Sequence, residues 1–269
     1  MVVDAVVTKL SFDSGASAWD RFSTRFSALY VPALLAAADI KEGQRVLDVA
    51  TGTGPSAVEA AAVVGQSGLV LATDLSLPML QKAKPNVEHL PVSLVAMAAQ
   101  ALACDDSTFD AVICHLGLIF FPNVGRGLDE FRRVLRPGAC MAVSVTTTPE
   151  RSVYGRVFVA ARRFLLTGRD VMGWNFALSD PRALETLISG AGFREASVTR
   201  EIRAIKFESW EDYWATMEAG CGLSGATYVA LSPKDRRVVR DEVERALLAS
   251  RSDGPFAVES EVLIGCGRR

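Results

Sequence analysis

The stretch at residues 46–54, Val-Leu-Asp-Val-Ala-Thr-Gly-Thr-Gly, constrains this chain more than any other. Its β-branched, apolar start suits a buried strand. The strand carries an acid, Asp48, and then breaks into a turn holding Gly52 and Gly54. A run of small residues from Ser56 to Val64 can open a helix at once. A strand, a tight glycine turn and a helix N-terminus together let backbone approach a nucleotide-like ligand closely.

Gly52-x-Gly54-x-x-Ala57 also satisfies the dinucleotide fingerprint loosely, so the surroundings must decide which ligand is meant. A carboxylate at Asp48 would be repelled by a pyrophosphate, whereas an ammonium and a sulfonium are attracted to it in a partly dry cleft. A second apolar run at 69–73 ends in another acid, Asp74. Its distance from Gly52 is close to the roughly 20 residues at which an acid reaches ribose hydroxyls in nucleotide-binding βαβ units. Its two oxygens can accept from both hydroxyls of an unphosphorylated ribose.

The blocks at 46–54, 74–80 (Asp-Leu-Ser-Leu-Pro-Met-Leu), 101–110, 117–122 (Gly-Leu-Ile-Phe-Phe-Pro) and 130–138 follow one another over roughly residues 40–146. In order and spacing the chain resembles a class I S-adenosylmethionine-dependent methyltransferase, nearest to the ubiquinone- and menaquinone-type and natural-product subgroup. The resemblance implies an α/β fold with a Rossmann-like doubly wound sheet, mostly parallel with an antiparallel last strand, plus helical lid insertions. It implies S-adenosylmethionine as cofactor, S-adenosylhomocysteine as product and a small, partly apolar organic acceptor. Asp48, Ala50, Thr51, Gly52 and Gly54 would then cradle the methionine portion, and Asp74 would take the ribose. Leu75 and Met79 would flank the adenine, with Ala99 and Gln100 beside it. Two positions depart from the family pattern: Ala50 stands where a glycine is frequent, and Met97-Ala98-Ala99-Gln100 lacks the aspartate often found near the adenine amino group.

Helix and strand patterns alternate through the first half: strand 46–50, helix 55–64, strand 69–73, helix 76–84, strands 92–96 and 110–114, helix 123–135 and strand 139–146. Such alternation predicts a parallel sheet covered on both faces. The expected organisation is a single domain over 1–269. Its core spans about 31–149 plus strands near 194–207 and 256–266. The helix at 16–30 and insertions at 150–180 and 208–254 would form the lid. Further helices are expected at 32–38, 150–168, 180–190, 209–219 and 232–250.

Composition narrows the partners. The 269 residues are 49% hydrophobic and 22% charged with net charge −2, which offers no bulk attraction to nucleic acid or anionic lipid. Five scattered cysteines without a C-x-x-C, and no basic-then-apolar leader at the start, suggest a reduced, cytoplasmic setting. No uncharged apolar run is long enough for a membrane span, and two histidines give no metal-ligand spacing, so no metal is expected. Nothing in the sequence sets an oligomeric state.

All four tryptophans and all four tyrosines lie outside 31–150. As a group they suggest an aromatic acceptor pocket lined by Trp19, Phe22, Tyr30, Trp174, Tyr213 and Trp214; singly, each is as readily explained by packing a lid onto the core. His115, just after the fourth strand, is the one candidate catalytic side chain. It suits a general base or, the commoner outcome, a hydrogen-bonding partner of the methionine portion or of a neighbouring carbonyl. Methyl transfer needs neither a metal nor a covalent nucleophile, because alignment alone can remove roughly 7–11 kcal/mol of barrier. The competing readings are an NAD(P)-dependent oxidoreductase, disfavoured by Asp48 and by the absence of a Tyr-x-x-x-Lys pattern, and a non-catalytic cofactor-binding module.

Overall fold

The computed structural model describes residues 5–164, 176–248 and 254–269. Seven strands form one sheet: β1 (Arg45–Val49), β2 (Leu69–Asp74), β3 (Val92–Ala96), β4 (Phe109–His115), β5 (Leu135–Thr146), β6 (Arg194–Phe207) and β7 (Phe256–Arg268). Their order is β3-β2-β1-β4-β5-β7-β6, with β7 antiparallel to both neighbours and the remaining pairings parallel. This is the doubly wound, mostly parallel sheet expected from the alternating pattern. The chain order reverses beside β1, so the carboxyl ends of β1, β2 and β4 open onto a crevice.

Strand alternation divides the core. Val46, Ala111 and Ile113 pack on one face with α2 (Val31–Ala37) and α3 (Pro55–Val64). Leu47, Val112 and Cys114 point to the other, against α5 (Val124–Val134) and α7 (Pro181–Gly190). Helix α4 (Leu77–Val87) packs on β2 and β3 and against α1 (Ala5–Phe26). Starts are marked chemically: Ser76, Asn123 and Asp180 each accept a backbone N–H at the head of α4, α5 and α7.

Strand β7 pairs with β5 only from Arg268 back to Val262, yet it pairs with β6 as far as Phe256. The two strands thus run past the sheet as a ribbon. A third core gathers on its end from Ile205, Phe207, Phe256 and Val258 together with α6 (Gly155–Ala161), α8 (Trp210–Glu218), α9 (Gly222–Val229) and α10 (Pro233–Leu248).

Several local readings change. The N-terminal helix covers Ala5–Phe26 instead of 16–30, and Ala28–Tyr30 forms a separate 3-10 turn. Over its described part, 150–164, the helix expected at 150–168 is broken into a 3-10 turn at Pro149–Arg151, then α6, then a 3-10 turn at Arg162–Phe164; residues 165–168 lie outside the described residues. Residues 222–229 form a helix that their two glycines conceal from propensity reasoning. The turn at Arg136-Pro-Gly138 is absorbed into β5 as an irregularity, where pairing jumps from Phe109↔Leu135 to Ala111↔Cys140.

Trp214 is fully buried in the third core, stacked on Trp210 at 5.0 Å and donating from Nε1 to Glu218 at 3.1 Å. Truncation to alanine should therefore destabilise the protein by about 3–5 kcal/mol. Urea denaturation of Trp214→Ala checks this; a loss below about 1 kcal/mol would show that this core is loosely held.

Candidate functional site

The crevice at the carboxyl ends of β1, β2 and β4 holds a cleft of about 230 Å³. Its floor is the turn after β1. Ala50, Gly52 and Gly54 have φ of 58°, 58° and 92°, all in the left-handed region. Glycine tolerates this freely, whereas Ala50 carries a cost of roughly 1–2 kcal/mol. Opposite it stands Gly117, where an added Cβ would come within 2.5 Å of the Ala50 methyl. The methyl at Ala50 is thus accommodated because the facing turn has no side chain.

Asp74 joins the cleft wall and ties two turns together. Its Oδ2 accepts from the Gly52 amide at 2.9 Å and its Oδ1 from the Ser76 amide at 2.8 Å. Burial raises its pKa from the ordinary carboxylate value, against the lowering effect of those amides. Asp48 is placed differently. It is fully buried behind the floor and does not line the cleft. The hydroxyls of Thr51 and Ser56, which do line it, donate to Asp48 Oδ2 at 2.6 and 2.7 Å. Asp48 Oδ1 is buried without a hydrogen-bond partner. Burial pushes the Asp48 pKa up to about 7, with Asp74 adding to the shift and the two hydroxyls opposing it.

Leu75, Met79, Ala99, Gln100 and His115 all line the same cleft, as the sequence reading groups them. Gln100 Oε1 accepts from the Asn123 amide at 3.4 Å. Gly54 lies apart from the cleft. It heads α3, and a Cβ there would meet that of Ala83 at 3.3 Å, so its service is to helix packing.

Both ring nitrogens of His115 are engaged. The Ser27 carbonyl can only accept, so Nε2 carries the proton and donates to it at 3.0 Å; Nδ1 then accepts from the Ser144 hydroxyl at 2.6 Å. Ser144 Oγ in turn accepts from the Leu116 amide at 3.0 Å. Burial lowers the His115 pKa to about 4, partly opposed by the Ser27 carbonyl, so the ring is neutral at pH 7. In this arrangement neither nitrogen has a lone pair left for a substrate proton.

Helix α1 covers the cleft: Ser76 Oγ donates to its Asp13 at 2.6 Å, and the Ser27 carbonyl, just beyond its end, takes the His115 bond. Between them Trp19 faces the floor, its Nε1 3.5 Å from where a Gly52 Cβ would stand. Phe12 packs edge-on against both Trp19 and Phe120.

A second cavity of about 80 Å³ adjoins, sharing Trp19, Leu116 and Phe120 with the cleft. Of the six expected pocket aromatics, Trp19 and Phe22 line this cavity. Tyr30, Tyr213 and Trp214 do not: each is fully buried, Tyr30 donating to the Ser260 carbonyl at 2.7 Å and Tyr213 to the Val153 carbonyl at 2.8 Å. Trp174 lies outside the described residues. Phe12, Phe26, Phe120 and Tyr154 line one cavity or the other and escaped the sequence reading. The Gly-Leu-Ile-Phe-Phe-Pro block held a signal for Phe120, since it follows directly on the end of β4.

Because folding raises the Asp48 and Asp74 pKa values, the folded state binds more protons than the unfolded one between the two pKa values of each group. Asp48 and Asp74 should therefore pull ligand-free stability down as pH rises from about 4 toward 7, while His115, whose pKa burial lowers to about 4, pulls it up over much of the same range. In Asp48→Asn the slope of stability against pH should be more positive than in the parent, as denaturation curves across that range will test; an unchanged slope would rule out a buried, proton-binding Asp48.

A sequence profile described as a methyltransferase domain matches residues 46–138. The demethylmenaquinone methyltransferase of Corynebacterium kroppenstedtii is 37% identical over 121 residues, covering 45% of this chain and 49% of that protein. The Staphylococcus saprophyticus enzyme of the same name is 28% identical over 173 residues, covering 60% and 74%. The chain spans about half the length of the first curated relatives it matches. Among solved structures, a Bacillus halodurans protein aligns with TM-score 0.59 at 22% identity over 88% of this chain and 97% of its own. The [4+2]-cyclase SpnF aligns at 0.56 and 17% identity over 90% and 81%, so the fold alone does not name a reaction. Residues 46–138 thus match a methyltransferase domain, and the described residues share the fold of the solved structures they align with.

Proposed function

We propose that the protein transfers a methyl group from S-adenosylmethionine to a small organic acceptor. The observation that carries this reading is Asp74, held at the cleft wall by two amides while its remaining lone pairs are available to ribose hydroxyls. The group also fits the rest of the cleft. Gly52, in a left-handed conformation beside Trp19, leaves room that a side chain would fill. Leu75 and Met79 supply apolar surface for adenine, and Gln100 an amide for its edge.

Asp48 acts through its neighbours. With the Thr51 and Ser56 O–H bonds directed at the buried carboxyl, their oxygens are left with lone pairs on the cleft side, suited to an ammonium. Cationic charge in the cleft would also favour ionised Asp48 and Asp74, countering the desolvation that raises their pKa values. His115 serves as a positioning residue that ties the end of α1 to the ends of β4 and β5. When bound, the cofactor supplies an electrophilic methyl group on a sulfonium, already a good leaving group. What the chain contributes is alignment of the acceptor and exclusion of water beneath α1, a contribution of roughly 7–11 kcal/mol in well-oriented reactions.

Each hydrogen bond to a charged group contributes roughly 1.5–3 kcal/mol, so losing two should weaken binding about 100-fold or more. Isothermal calorimetry of Asp74→Ala with S-adenosylmethionine tests this, circular dichroism confirming the fold. Undiminished affinity in a folded variant would defeat the assignment.

A further inference from the structure

We propose that the smaller cavity beside the cleft is the acceptor site and that it takes an uncharged, single-ring hydroxyaromatic compound; this rests on the methyl-transfer reading above. The two cavities share three lining residues, Trp19, Leu116 and Phe120, so they adjoin, and an acceptor seated in one neighbours the contents of the other across those side chains. The cavity's roughly 80 Å³ gives space for roughly six water-sized groups, the scale of one ring. It is too small to enclose a long isoprenoid tail.

The lining sets the charge of the occupant. Aromatic faces come from Phe22, Phe26 and Tyr154, on which a flat ring packs offset or edge-on. The polar groups are hydroxyls, those of Thr146, Ser152 and Ser224 among them, and no Asp, Glu, Lys, Arg or His lines it among the described residues. An ammonium would lose its water without finding a carboxylate, and would face a sulfonium. A phosphate or carboxylate would find no cation. A neutral hydroxyl escapes both penalties and can hydrogen-bond to the lining hydroxyls. In the transfer the hydroxyl oxygen bonds to the methyl carbon, the broken C–S bond leaves its pair on sulfur, and the O–H proton passes to solvent water.

The test uses calorimetry on the full chain loaded with S-adenosylhomocysteine, titrated with catechol, phenyl phosphate, tyramine and a tailed demethylmenaquinol, followed by turnover of each with S-adenosylmethionine. Catechol should bind and be methylated, and the charged and tailed probes should bind at least 100-fold more weakly. Ser224 lines the smaller cavity and not the cleft, so Ser224→Phe fills the acceptor site from the side away from Gly52 and Asp74. It should keep S-adenosylmethionine affinity within twofold while losing catechol binding and turnover. Preferred binding of a charged or tailed probe, or undiminished catechol turnover in Ser224→Phe, overturns the proposal while leaving the cofactor assignment intact. Failure of the wild type to bind S-adenosylmethionine would instead defeat the methyl-transfer reading itself. Should Ser224→Phe not fold, the wild-type probe series decides alone.

Discussion

A single carboxylate holds the site's geometry together. Asp74 accepts from the amide of Gly52 on one turn and of Ser76 on the next, joining the exits of β1 and β2. Without it, two backbone donors at the edge of a half-buried cleft would lose their partner, a cost of roughly 1–3 kcal/mol for each group left unsatisfied. Ser76 extends the link, its hydroxyl donating to Asp13 on α1. Sheet, helix cap and covering helix thus meet at one acid, and the cleft takes its shape from that junction.

The covering parts rest on a different foundation. The cleft floor belongs to the parallel sheet, whereas α6, α8, α9 and α10 pack on the β6–β7 ribbon beyond it. Large aromatics dominate that third core: Tyr213 and Trp214 are fully buried, and Trp210 stacks on both at 5.3 and 5.0 Å. The large aromatics outside residues 31–150 thus have two uses. Phe26 and Tyr154, in edge contact at 6.4 Å, face the smaller cavity, and the deeper rings hold the helices that close it.

Backbone economy is visible at the first turn. Ala50 keeps a left-handed conformation beside Gly117, whose missing side chain makes the approach possible. A residue pair of this kind is a unit: the small residue needed in one turn depends on which small residue sits in the other. His115, next to this junction, has its tautomer set by the Ser27 carbonyl and its second nitrogen filled by Ser144.

By itself the sequence determined the strand–turn–helix at 46–64, both acids at strand ends, the parallel core and the glycine turn, because hydrophobic period, strand length and turn chemistry are local properties. The extent of α1, the helix at 222–229 and the bulge at 136–138 were not legible, since each is settled by what packs against it. Only tertiary structure decided that Asp48 lies buried behind Thr51 and Ser56, and that Tyr30, Tyr213 and Trp214 are core while Trp19, Phe22 and Phe120 are wall. A side chain's residue type states what it can do. Whether it meets solvent, ligand or another ring depends on residues up to 230 positions away, as Tyr30 and Ser260 are.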